Sequence, residues 1–293
     1  MAFLYRFNKP EYLFRPKQLL KRLTSNSYYD SSSLTAVELP WGQTINVNPT
    51  EVVGRSIEVL GVYELAQTEI LRRSLKFAKS FIDIGANIGY FTLAALGSKN
   101  FDGKILSFEP HPSVIERLKE NVRLQNKNNN VEIYDFALSE SEGSSMLYIP
   151  EDFSHNEGIA TLEKPLGKHR EIMIKHKRLD ELIPDNDELI LKIDTEGHEF
   201  SVLKGAAKLF EKGSVKAVFF EEFSHPSKAS SFEFLKSFGF KVFRIERSLF
   251  GPKLVDPLSP LPSKIWEPTN YLAIYNESIP VLELTAKGWS CLR

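Results

Sequence analysis

The stretch FIDIGANIGYFTLA, Phe81 to Ala94, decides the fold. FIDIG (81–85) is a short apolar run that ends in glycine, as a buried strand does, and IGYFTLAALG (88–97) follows with the length and composition of a helix. Between them lies Asp83-x-Gly85-x-Asn87-x-Gly89. Glycines let a backbone turn sharply and let a ligand approach without Cβ contact. The helix beyond offers free N–H groups.

The same alternation continues outward. KILSFEP (104–110) reads as a second strand, and Pro112 opens a helix with Val114, Ile115, Leu118 and Val122 on one face. VEIYDFAL (131–138) reads as a third strand, followed by a hairpin-like detour through SESEGSSMLYIP and EIMIKHKRLDEL. ELILKID (188–194), VKAVFFEEF (215–223), FKVFRIE (240–246) and NYLAIYN (270–276) complete the strands, with helices over 198–210 and 229–238. Strands separated by helices predict a doubly wound, mostly parallel α/β sheet covered on both faces. Ligands of such sheets bind beyond the carboxyl ends of the strands.

Residues at those ends carry the chemistry. Glu109 follows the second strand, 24 residues after Gly85. An acid about 20 residues past a glycine turn in a βαβ unit binds ribose hydroxyls, which predicts a nucleoside ligand. A dinucleotide loop would read G-x-G-x-x-G/A, but Asn87 replaces the second glycine, and no basic residue stands near. Asp83 adds negative charge that suits an ammonium or sulfonium, and S-adenosylmethionine has both. After the fourth strand comes Asp194-Thr195-Glu196-Gly197-His198-Glu199. Asp194, at the strand tip, is the first candidate for a base that takes a proton from an acceptor, with Glu196 and His198 behind it. Glu199 is equally explained by the start of a helix. One of Glu221 and Glu222 faces the cleft by strand alternation, and the sequence leaves open which. A divalent metal held by Asp194, Glu196 and a strand-five acid is a variant of this reading.

Composition excludes other classes. The 293 residues are 42% hydrophobic and 26% charged, which is globular and not disordered. Lys+Arg 37 against Asp+Glu 38 gives a net charge of −1, so no overall field drives the chain onto nucleic acid. Cys291 is the sole cysteine, which rules out an internal disulfide and fits a reducing, cytoplasmic location. The longest uncharged run, Ile84 to Ser98, is too short and too polar to span a bilayer, and the first residues show no secretory h-region. Residues 1–25 carry six basic residues against Glu11, interleaved with aromatics. Such a segment either touches an anionic membrane surface weakly or packs its rings on the core, and packing is the preferred reading. TSNSYYDSSS (24–33) reads as a linker.

The chain resembles the FkbM family of S-adenosylmethionine-dependent methyltransferases. FIDIGANIGYFTLA is similar to that family's cofactor loop, SFEPHP to its ribose-binding acid, and LILKIDTEGHEFSVLKGA to its most distinctive stretch. LPWGQTINVNP and GVYELAQTE resemble its lead-in. The resemblance covers roughly residues 38–225 and implies a seven-stranded methyltransferase sheet with the last strand antiparallel; the methyltransferase domain is expected over 51–293, after an N-terminal extension over 1–50. It implies O-methylation of a hydroxyl on a sugar, glycan or natural product. It implies that Gly85, Asn87 and Gly89 contact the cofactor, that Glu109 binds its ribose, that Asp135 or Ala137 lies near its adenine, and that Asp194 and Glu196 stand at the reaction centre. His198 falls at a variable position of the family's pattern. Two rival readings stand beside this one. A glycoside hydrolase built on an Asp/Glu pair leaves the glycine loop unexplained. A non-catalytic nucleoside-binding module is separated from an enzyme by a turnover assay.

Overall fold

The computed structural model describes residues 9–18, 33–126, 130–150, 160–165, 167–183, 187–261 and 269–292. Its main sheet contains β3 (Ser80–Ile84), β4 (Lys104–Phe108), β5 (Val131–Tyr134), β9 (Leu189–Ile193), β10 (Val215–Glu221), β11 (Phe240–Ser248), β12 (Gly251–Val255) and β13 (Asn270–Tyr275). The spatial order is β12-β11-β13-β10-β9-β3-β4-β5. The run from β10 to β5 is parallel, and β13 enters antiparallel between β10 and β11. The expected seven strands are present. An eighth, β12, is added by a hairpin from β11 at the edge.

Every residue of β3 and β9 is buried, because helices cover both faces. On one side Phe81, Ile105, Ile190 and Phe219 pack with helices α3 (Leu65–Ser74), α4 (Tyr90–Leu96) and α5 (Pro112–Arg123). On the other Ile82, Leu106, Leu191 and Val218 pack with α6 (Glu199–Gly205), α7 (Ala207–Glu211) and α8 (Ser230–Ser237). The hairpin of β1 (Thr35–Glu38) and β2 (Thr44–Val47) places Val37, Ile45 and Val47 in the first of these cores, so residues before 51 share the domain's interior.

Two expected elements are divided. VEIYDFAL is not one strand: β5 ends at Tyr134, and β6 (Ala137–Leu138) pairs with β8 (His169–Lys177) in a separate sheet with β7 (Gly143–Pro150). The helix over 198–210 breaks at Ala206, which is fully buried between α6 and α7. Just before the break, a Cβ on Gly205 would lie 2.0 Å from the Ser139 carbonyl, so only glycine lets α6 approach the chain after β6.

Near the N-terminus, α1 (Pro10–Phe14) buries Tyr12 and packs Phe14 against Val62, Leu65 and Trp289, while Leu13 stays exposed. Within 9–18 the rings pack on the body. Residues 1–8 and 19–25 of the basic segment, and most of the expected linker, lie outside the described residues. The C-terminal segment is fastened to α3: Glu69 accepts hydrogen bonds from the Ser290 and Cys291 N–H groups, and Arg73 donates to the carbonyls of Leu284, Ala286 and Gly288. Trp289 is thereby buried beneath Val62 and Leu65. These residues flank the turn carrying Tyr63 and Glu64, between α2 (Val52–Leu60) and α3. Among the described residues no helix is long and apolar enough to cross a membrane.

Candidate active site

A cavity of about 360 Å³ opens beyond the carboxyl ends of β4, β3, β9 and β10. That volume lies within the usual range for small-ligand sites.

The β3–α4 turn forms its floor. Gly85 has φ 72°, and a Cβ there would stand 1.8 Å from the Asp194 carbonyl, because the tips of β3 and β9 touch. Asn87 is also left-handed, at φ 49°. All five N–H groups of this turn are already engaged. Gly85 and Ala86 donate to the Phe108 carbonyl, and Gly89 to Ala86. Asn87 donates to Glu109 Oε2 at 2.9 Å, and Ile88 to Asn87 Oδ1 at 2.7 Å. Glu109 Oε1 accepts a second bond from the His111 N–H at 2.9 Å, so its carboxylate ties the turn to the start of α5. Each oxygen keeps a free acceptor position, four sites being available to a carboxylate. Burial pushes the Glu109 carboxyl up to about 7, against the lowering effect of these two bonds.

The β9 tip forms the opposite wall. Lys192 and Asp194, two residues apart on one strand, share a face. Lys192 is almost fully buried, with Nζ 3.1 Å from Asp194 Oδ2, 3.8 Å from Asp83 Oδ1 and 4.8 Å from the centre of the Phe91 ring. Despite burial, the two carboxylates hold its pKa above the usual lysine value. Glu196, at φ 53°, lines the cavity, and burial followed by Asp194 and Glu199 raises its carboxyl to about 7. Glu199 faces inward to its own loop: Oε1 accepts from the Thr195 N–H at 2.9 Å, the Thr195 hydroxyl at 3.1 Å and the Gly197 N–H at 3.1 Å. It therefore shapes the turn that presents Asp194 and Glu196.

Of the residues singled out from sequence, the structure brings Gly85, Asn87, Glu109, Ala137, Asp194, Glu196 and His198 together around this cavity. Asp83, Gly89 and Asp135 do not line it. Asp83 is fully buried behind it, accepting from the Thr92 hydroxyl at 2.7 Å and facing Lys192, so it acts on the site through that lysine. Gly89 caps α4 against Leu118, and Asp135 is exposed after β5. His198 links Ser139 Oγ, at 3.0 Å, to Glu163 Oε1, at 3.4 Å, and burial lowers its pKa so that the ring is neutral at pH 7.

The strand-five acid that faces the cavity is Glu221. Glu222 turns away and accepts from the Ser231 hydroxyl and the Ser224 N–H. Sequence reading missed Lys192 and Tyr63, which also line the cavity. A lysine inside the apolar run LILKI was the available signal, since a buried cation needs a partner. Tyr63 had none. Burial, with Glu64, Asp194 and Glu221 nearby, pushes its phenol up. Among the described residues no three acids, histidines or cysteines are placed to hold a metal ion.

A parallel sheet broken by an antiparallel β13, with a glycine turn after β3, an acid after β4 and an acidic β9 tip, is the Rossmann-like fold of class I methyltransferases. The chain belongs to the FkbM methyltransferase family: residues 83–242, more than half of its length, match the Methyltransferase FkbM domain. It is 30% identical over 153 residues to Methyltransferase sdnD of Sordaria araneosa, covering 42% of this chain and 59% of that protein. It is 27% identical over 143 residues to Methyltransferase 1 of Beauveria bassiana, covering 42% and 57%. The chain thus spans less than two thirds of the length of the curated relatives it matches. A crystal structure of methyltransferase FkbM from Methylobacillus flagellatus KT is similar over 68% of this chain and 44% of that one, with 16% identity and a TM-score of 0.43.

Proposed function

We propose that the protein transfers a methyl group from S-adenosylmethionine to a hydroxyl of a sugar, glycan or natural product. The observation that carries the cofactor assignment is the charge and hydrogen bonding of the cavity. Its wall holds the carboxyls of Glu109, Asp194, Glu196 and Glu221 against the single lysine Lys192. A pyrophosphate needs free N–H groups and positive charge at the turn. The Gly85–Gly89 turn has spent its N–H groups internally, so the residues fit a nucleoside with a positive centre and not a dinucleotide.

In this reading Glu109 accepts hydrogen bonds from the ribose hydroxyls, Gly85 and Asn87 admit the ligand closely, and Ala137 lies at the adenine end. Bound there, S-adenosylmethionine supplies an electrophilic methyl carbon on a sulfonium that leaves as a neutral thioether. The chain's own task is to hold the acceptor hydroxyl in line and take its proton. Asp194, Glu196 and His198 are the groups proposed for that centre. Asp194 is engaged by Lys192, and taking a proton would cost it that ion pair. Glu196, raised to about 7, stands nearer the working pH and is favoured as the acceptor of the proton, with Asp194 as its charged neighbour. His198 has both ring nitrogens engaged, which favours a positioning role at the rim.

The test is a turnover assay with methyl-labelled cofactor over a panel of hydroxylated acceptors. Glu196→Gln is expected to lower turnover at saturating cofactor by about 10²–10⁴. Wild-type turnover in that variant would remove Glu196 from the reaction. Family membership sets aside the glycoside-hydrolase alternative. Absence of labelled product from every acceptor, with the cofactor bound, would favour the nucleoside-binding module. The single cysteine and near-zero net charge support a cytoplasmic location and an acceptor other than nucleic acid.

A further inference from the structure

Glu221 has no role in the reading above, and its setting is unusual. It ends β10 with 8% of its surface exposed, faces the cavity, and has no hydrogen-bond or ion-pair partner among the described residues. The groups around it are Asp194 and Glu196 from the β9 loop, Glu64 from the α2–α3 turn, and Lys192. The phenol of Tyr63 is close enough to feel its charge. Lys192 is already shared between Asp194 and Asp83. A buried carboxyl left this way is costly unless something else completes it.

The surroundings specify what completes it. Tyr63 and Phe223 line the cavity together with Val52 and Val53, while the Phe91 ring is already covered by Lys192. Aromatic faces beside a carboxylate favour an organic cation, which loses less on leaving water than a hydrated metal ion does. Sheet order supplies the direction. Glu109 follows β4, and β10 lies three strands away across β3 and β9, roughly 14 Å at the usual strand spacing. A nucleoside anchored by its ribose at Glu109 therefore extends its other end toward β9 and β10.

We propose that Glu221, with Glu196 beside it, forms a cation subsite of this cavity that takes an organic cation, a sulfonium or an ammonium. The inference rests on the cofactor reading above and deepens it. The cation comes either from the cofactor's methionine end or from an amino group on the acceptor. Burial and the neighbouring acids push the Glu221 carboxyl up to about 10, so it is protonated in the free protein at neutral pH. A cation that pairs with its ionised form must displace that proton, and binding becomes linked to proton release.

The experiment is isothermal titration of the full chain at pH 7.5, in two buffers of different ionisation enthalpy. The probes are S-adenosylmethionine, its thioether product S-adenosylhomocysteine, and glucosamine against glucose with the product present. Glu221→Gln is compared with wild type, and Glu196→Gln repeats the test at the second carboxyl. Glu221→Gln replaces a carboxyl that is already uncharged in the free protein, so the melting temperature is expected to hold and weaker binding is not attributable to unfolding. Weakening of S-adenosylmethionine by about tenfold, with the product unaffected and proton release lost, places the sulfonium at Glu221. Equal weakening of both places the cofactor's ammonium there. Loss of glucosamine binding alone assigns the cation to the acceptor. Unchanged affinity and proton release for every probe would overturn the subsite, as would stabilisation by Mg²⁺ alone that Glu221→Gln abolishes. If wild type binds neither cofactor form, the cofactor reading fails instead.

Discussion

Replacing Lys192 by methionine keeps an unbranched side chain one atom shorter and removes the one cation of the β9 tip. Two acids lose it: Asp83, which is fully buried, and Asp194, 3.1 Å away. Removing one partner of a buried ion pair costs about 3–5 kcal/mol, because the remaining charge is left without compensation. At roughly 2–4 °C per kcal/mol for a chain of this size, the melting temperature should fall by about 10 °C at pH 7.5. The loss should shrink on acidification. Burial already raises the Asp83 carboxyl, with Lys192 as the main opposing influence. Without the lysine, Asp83 in the folded state holds its proton to higher pH than in the unfolded chain. Folded protein then binds more protons than unfolded protein, so the variant's stability falls as pH rises from 5 to 8. Lys192 itself stays charged across that window, since its pKa is raised from 10.5. Urea unfolding of both proteins at pH 5.5, 6.5 and 7.5 measures the difference. Asp83→Asn in the Lys192→Met background should restore part of it, because the amide can still accept from Thr92. A loss under about 1 kcal/mol, constant with pH, would refute the view that Lys192 neutralises this acidic wall.

Glu109→Gln should weaken cofactor binding by about 10–100-fold, because a carboxylate acceptor is worth about 1.5–3 kcal/mol per charged hydrogen bond. The wild-type affinity should fall by up to about tenfold per unit as pH drops below 7, where the carboxyl that burial raises to about 7 takes up its proton; titration at pH 5.5 and 7.5 checks both. Glu199→Ala removes the acceptor of three bonds from Thr195 and Gly197 and should destabilise the fold by about 1–3 kcal/mol, read by urea unfolding. If residues 1–25 touch a membrane, full-length protein should float with anionic liposomes at low salt and a 26–293 chain should not; failure of the full chain to float ends that idea.

The strands were legible because a parallel strand covered on both faces must be apolar along its whole length, and FIDIG, KILSF and LILKI are such runs. The spacing from Gly85 to Glu109 was legible because a turn and a strand end are separated by one helix and one strand. The break after Tyr134 was not. VEIYDFAL is continuous in hydrophobicity, and its division depends on which neighbour the backbone finds: β4 for Val131–Tyr134, and β8 for Ala137–Leu138. The choice between Glu221 and Glu222 was closed to sequence for the same reason. Alternation gives two faces, and only pairing with β9 and β13 decides which one looks into the cavity.

The acidic tip is a more instructive case, since Asp194 was expected to be the first candidate base from its place at the strand tip. That expectation passed over Lys192, two residues earlier on the same face. Glu199, left open in the sequence, spends its carboxylate on the loop's own N–H groups. Sequence distance ranks neighbours by separation along the chain, whereas a strand tip ranks them by face and by adjacent strand. Judged that way, Asp194 is the compensated carboxyl of the wall. Glu196 and Glu221, brought alongside from β10, make no ion pair among the described residues, and burial raises both carboxyls. The cavity therefore sets a fixed ion pair at the tip beside two carboxyls that burial and neighbouring acids raise, Glu196 to about 7 and Glu221 further. In the reading proposed above, the second group exchanges protons with ligands while the ion pair holds the tip.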